Sequence, residues 1–156
     1  MTDLEISYSI RAQILQKIGE RAQQMIVLLP SGMDADAQLF WARQQLHPSE
    51  LPAVNILPQP ETGDRSYGAD HLTMPVQISI ACLLGNNSAV DLAEDLLATM
   101  RRTVPGSDPT LGGLAQDIRY MSGGVDDYPE DADQALVATT LWEIDYQTQA
   151  NNPDEQ

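Results

Sequence analysis

The sequence predicts an α+β domain of two layers, in which a four-stranded, mainly antiparallel sheet carries two helices on one face. Three observations lead there. Isoleucine recurs at 6, 10, 14 and 18, at helical spacing. Every even-numbered position from Leu72 to Leu84 is apolar, the period of a strand with one buried face. Helical spacing then returns over Ala93, Leu96, Leu97, Met100 and Val104. Helices with one apolar stripe and strands with one apolar face are satisfied together when both helices cover the same side of one sheet.

Taken in order, the first helix runs from Ile6 through Ala22, Met25 and Ile26 to Leu29. Pro30-Ser31-Gly32 ends it, since proline removes a donor and glycine accepts a left-handed terminating turn. Residues 33–52, with Leu39, Phe40, Trp41 and Leu46, read as a packed connector restricted by Pro48 and Pro52. Ala53 to Leu57 is a short strand. Gln59 to Gly68 has the turn-rich composition of a long hairpin loop, expected to be mobile in an isolated subunit.

The long strand follows over 72–84, and Pro75, which has no N–H, should leave one side of that end unpaired. Gly85 to Ser88 turns the chain. Ser88 with Asp91 makes a capping-box-like start to the second helix, and Arg101 and Arg102 suit the negative end of its dipole. Pro105-Gly106 stops it near Thr103. Ala115 to Ser122 is a third strand, residues 123–133 an acidic connection, and Ala135 to Thr148 a last strand with Leu136, Trp142, Ile144 and Tyr146 on one face. The element order is α-β-β-α-β-β, residues 1–148 form one domain, and the polar residues 149–156 are expected to be a disordered tail.

The chain has 156 residues and a formal net charge of −15, from 23 acidic and 8 basic side chains. Affinity for a phosphate backbone comes mostly from lysine and arginine displacing counterions, so nucleic-acid binding and attachment to an anionic membrane are both disfavoured. One cysteine cannot make an internal disulfide, and no basic segment followed by an apolar one opens the chain, so a cytoplasmic site of synthesis is expected.

Residues capable of chemistry are sparse. His47 and His71 have no second ligand at a spacing that places two on one face, and Cys82 falls on the apolar face of the long strand. Asp126, Asp127, Glu130, Asp131 and Asp133 lack the alternation of a calcium loop, and Gly112-Gly113 and Gly123-Gly124 lack the context of a phosphate cradle. Glu143 and Asp145 share one face of the last strand and offer an acid pair, yet on a sheet covered on one side they face solvent or a partner. No catalytic residue, metal or cofactor is expected. An exposed sheet face and open edges are liabilities in a monomer, which an assembly would cover.

Four segments resemble, in this order, the tail terminator (tail completion or neck) proteins of tailed bacteriophages. They are Leu51-Pro-Ala-Val-Asn-Ile-Leu-Pro58, the stretch from His71 to Ile80, Asp108-Pro-Thr-Leu-Gly-Gly-Leu-Ala-Gln-Asp-Ile-Arg119, and the stretch from Ala138 to Gln147. The resemblance covers about residues 6–148, and the 31–50 region is longer than the family pattern. It implies a structural virion protein, assembled in the host cytoplasm, that forms a six-membered ring on the head-proximal end of the tail tube. Such a ring ends tube polymerisation, meets the tube protein on one side and the head connector or stopper protein on the other, and lets DNA through without specific binding.

Arg65 and Tyr67 belong to residue types enriched at interface centres. With Glu61 and Asp64 in the same loop, and Glu143 and Asp145 on the open sheet face, they are the expected interface residues. Two other readings stay open: a connector or stopper protein of the same particle, and a small acidic binding module that mimics DNA.

Overall fold

A computed structural model describes residues 9–29 and 37–156. The chain is α+β. Helix α1 spans Ile10–Val27, followed by β1 (Gln38–Trp41), a 3-10 turn at Pro48–Glu50, β2 (Ala53–Pro58), β3 (Thr62–Ser66) and β4 (Ala69–Leu83). Helix α2 (Ala89–Thr103), β5 (Asp117–Gly124) and β6 (Ala135–Gln149) complete it. Ile6 and the Pro30-Ser31-Gly32 stop fall outside the described residues. Ser9 caps α1 by accepting a hydrogen bond from the Ala12 N–H at 3.1 Å. Ser88 is likewise the N-cap of α2, but its side chain makes no cap bond, so the capping box expected with Asp91 does not form.

The C-terminal end of α2 is closed from the other helix. Arg21 of α1 donates from Nη1 to the Val104 and Pro105 carbonyls and from Nη2 to that of Asp108. Val104 is the C-cap of α2, whose carbonyl the helix leaves unpaired, and Pro105 and Asp108 follow it in the loop, so one guanidinium fastens the chain leaving α2 to α1. Gly106 makes room for it: φ is +57°, and an added Cβ would collide with Arg21 Nη1.

Among the described residues the sheet has six strands instead of four, in the order β1-β2-β4-β6-β5 with β3 also on β4. All neighbours are antiparallel except β1 and β2. Both extra strands lie in segments read as irregular. Gln38-Leu-Phe-Trp41 is too short for a period-two signal and is drawn into the sheet by parallel pairing with β2. Thr-Gly-Asp-Arg-Ser has the composition of a turn, yet it pairs with the start of β4, whose open flank supplies the hydrogen bonds that propensity does not. The 59–68 segment is therefore half of a hairpin within the single chain.

Strands β2 and β3 lie end to end along one flank of β4. Pro58 faces Val76 and Thr62 faces Thr73, so residues 59–61 stand opposite residues 74 and 75, one residue in excess. This is a bulge, and it reverses which residues of the strand face the helices. The Gln59 N–H donates to the Pro75 carbonyl at 2.8 Å, so the missing donor of Pro75 points at the interrupted stretch, where its loss breaks no regular ladder.

The expected core wall is present. Met74, Val76, Ile78, Ile80, Cys82 and Leu84 are buried against Ile14, Ile18 and Met25 of α1 and Leu96 and Met100 of α2. On β6 the buried face runs Leu136, Ala138, Thr140, Trp142, Ile144, Tyr146, Thr148. Thr140 is admitted because its hydroxyl donates to the Ile78 carbonyl at 3.1 Å and accepts from Trp142 Nε1 at 2.8 Å.

Of residues 149–156, expected as a disordered tail, Gln149 ends β6 and residues 150–156 fold back. The Ala150 N–H donates to Gly68 at 2.9 Å, the Ile10 N–H to Pro153 at 2.8 Å, and the Gln149 N–H to Glu155 at 2.8 Å. The segment is held by backbone hydrogen bonds rather than apolar burial, a source of order that composition does not reveal.

Candidate functional site

The face of the sheet turned away from the helices holds Asp64, His71, Glu143 and Asp145 of the residues singled out above, and carries two zones along its length. At the end where β4 begins, strand register sets Thr73 opposite Asp145, Pro75 opposite Glu143, and Asp64 opposite His71. Arg119 of β5 lies beside Glu143 and reaches both acids, donating from Nη2 to Glu143 Oε2 at 2.8 Å and from Nη1 to Asp145 Oδ2. Thr73 Oγ1 donates to Asp145 Oδ1 at 2.8 Å. Asp145 first, and then Glu143, raises the pKa of Arg119 above its ordinary value. Thr62, Asp64, His71, Thr73, Gln116 and Asp145 surround an open depression of about 320 Å³.

The other zone is more apolar. A groove of about 530 Å³ crosses β2, β4 and β6 near the end of β4, with Leu46, Leu51, Leu57, Ala81 and Val137 among its walls and Gln77 and Thr139 within it. Its outer wall comes from the connector. Asn55 Nδ2 donates to the Arg43 carbonyl at 2.8 Å, and Arg43 Nη2 donates to Glu50 Oε1 at 2.8 Å. The His47 backbone N–H, ahead of Arg43, holds the Glu50 carboxyl below the usual carboxylate range.

The six expected interface residues thus fall in three places. Asp64, Glu143 and Asp145 lie on the open face. Glu61, at the bulge, turns to the helix side, where it accepts from Tyr146 Oη and from Arg11 Nη1 of α1 at 3.1 Å. Burial, and then Glu61, raises the Tyr146 hydroxyl above its ordinary value. Arg65 and Tyr67 lie at the hairpin tip. Arg65 Nε donates to Asp70 Oδ1 at 2.9 Å, and Tyr67 is fully exposed at φ +52°, followed by Gly68 at φ +75°.

Sequence reading missed Arg119, which joins the two acids it had singled out, because that contact depends on β5–β6 register. The only signal was an arginine next to buried Ile118 in an alternating run. It also missed Asp70 and Asn151, which hold the hairpin tip.

Among the described residues, no group of three or more His, Cys, Asp and Glu side chains is placed to hold a metal ion, and no helix is long and apolar enough to cross a membrane. No protein-family model matches the chain, and no curated protein is significantly similar to it.

Proposed function

We propose that this chain is a structural subunit of a tailed-bacteriophage particle, a tail terminator whose copies close into a six-membered ring at the head-proximal end of the tail tube. The observation that carries this reading is an open sheet with one polar, half-exposed face, outer strands β1 and β5 that are each paired on one side only among the described residues, and an exposed aromatic at a hairpin tip. A ring subunit needs two unlike surfaces for its neighbours, and an open sheet supplies unlike edges. The net charge of −15 suits a conduit through which DNA passes without adhering. One side of the ring would meet the tube protein and the other the head connector or stopper protein. A connector or stopper role in the same particle rests on the same features and differs in ring size and binding partner.

The acidic-module reading is weaker. Mimicry of DNA needs free carboxylates spaced along a surface, whereas Arg119 engages both Glu143 and Asp145. The test is removal of the gene from the genome that encodes it. Filled heads with overlong or unjoined tails in electron micrographs are expected; uniform tails joined to heads in its absence would refute the proposal.

A further inference from the structure

Tyr67 is an expensive residue to place where it stands. The turn Ser66–Ala69 has two successive residues at positive φ, a geometry that favours Asn-Gly, and a bulky aromatic there is strained. Among the described residues no packing of the side chain offsets that strain, because the ring is fully exposed. Strain kept at an exposed site points to a use outside the molecule.

The turn is also held still. The Ala150 N–H donates to the Gly68 carbonyl at 2.9 Å, Arg65 bonds to Asp70 at 2.9 Å and to Asn151 Oδ1 at 2.6 Å, and the Asn151 N–H donates to Asp70 Oδ2 at 3.3 Å. The ring is therefore presented by a braced hairpin, which lowers the ordering cost of docking it. At the far end of the same sheet, the groove walled by Leu46, Leu57, Ala81 and Val137 offers an apolar bed, with Gln77 and Thr139 within reach of a hydroxyl. That is the mixed environment a tyrosine side chain needs.

We infer that the Tyr67 turn of one chain enters the outer-face groove of a second copy, joining subunits head to tail. The inference rests on the self-assembly proposed above and names its joint. The turn precedes Ala69, the first residue of β4, while the groove extends from Gln77 to Ala81, about 26 to 40 Å along the strand. A chain cannot fill its own groove. Two unlike, mating surfaces at opposite ends of one subunit make a heterologous contact, the kind that closes into a ring. Asp64 beside the turn is exposed, and Arg43 on the groove wall, though held by Glu50, keeps 37% of its side chain exposed, so an acid of one copy meets a cation of the other while Arg65 stays with Asp70.

The test uses the full chain, Tyr67→Asn and Val137→Arg, each followed by sedimentation and thermal melting. Asparagine is at home at positive φ, so at concentrations low enough for both chains to be monomeric Tyr67→Asn should melt no lower than the parent. Its self-association should nonetheless weaken by about thirtyfold or more, as for loss of an interface anchor. Val137→Arg, or Gln77→Arg should the former not fold, blocks the groove and should weaken association equally. Mixing the turn variant with the groove variant leaves one intact joint, so a 1:1 pair and nothing larger should form. Undiminished assembly of Tyr67→Asn overturns the inference and leaves the ring reading standing. Two dissociated variants that never pair also overturn it, and a parent chain that stays monomeric overturns both.

Discussion

Replacing Ile78 by alanine, with Gln77→Ala as its partner experiment, tests the facing of β4. Ile78 is 1% exposed, stands opposite Ile56 on β2 and Thr140 on β6, and packs under both helices. Truncation removes the side chain beyond Cβ, a transfer loss of about 2.4 kcal/mol at about 0.8 kcal/mol per buried carbon. The close-packed wall collapses only partly, and the cavity adds about 1–2 kcal/mol, so a total of about 3.5–4.5 kcal/mol is expected. Gln77 points to the open face, opposite Leu57 and Leu141, and its truncation should change stability by no more than about 0.5 kcal/mol. Urea titrations at several protein concentrations would measure both, with an unchanged denaturant slope showing that stability alone has moved. A loss below about 0.5 kcal/mol at Ile78, or a larger loss at Gln77 than at Ile78, would mean that β4 faces the other way.

Gly106→Ala should cost about 1–3 kcal/mol in the same assay, because the residue has positive φ and its new methyl group displaces Arg21 from the α2 terminus. Burial pushes the Cys82 thiol up to about 11 from 9.0, so it should not react with a thiol-specific reagent at pH 8 until the protein is denatured. Since the folded value is the higher, the stability linked to this group is complete below about pH 9 and declines as pH rises toward 11. The Thr110 hydroxyl, followed by the Gly112 and Thr110 backbone N–H groups, holds the Asp108 carboxyl below its ordinary 3.8. Its contribution is therefore present above pH 3.8 and lost as pH falls through the lower folded value; Asp108→Asn should flatten that acid limb in a pH series of melts.

What could be read from the residues is what the chain writes locally. Alternation over 72–84 fixed the buried face of β4 because each side chain's facing follows from its neighbour's, and the stripe from Ala93 to Val104 did the same for α2. Strand β3 had no such record: Thr62 to Ser66 carries no apolar residue, and only the flank of β4 makes it a strand. The return of residues 150–156 across Gly68 and Ile10 uses backbone groups that every residue has, so no side chain announced it. The site divided along the same line. Glu143 and Asp145 were visible as a pair two apart on one strand, while Arg119, 24 and 26 residues away in sequence, became their partner only through register.

The surplus residue between β2 and β3 lets an even step in sequence, from Pro58 to Thr62, cross from the helix side of the sheet to the open side. With three residues against two, Thr62 and Asp64 share the open side with His71 and Thr73, and Gly63 and Arg65 lie on the helix side with Leu72 and Asp70. Removing Gln59 or Pro60 would leave two residues against Met74 and Pro75, and the ladder would run from β2 into β3 with no bulge. Thr62 and Asp64 would stay on the open side, because their partners Thr73 and His71 set their facing, and Glu61 would stay on the helix side, opposite Met74. Chain length ahead of Thr62 can therefore change without turning the hairpin over. The presentation of Tyr67 is set at the other end, by the turn, and an engineer lengthening the arm should add residues to β3 and β4 together.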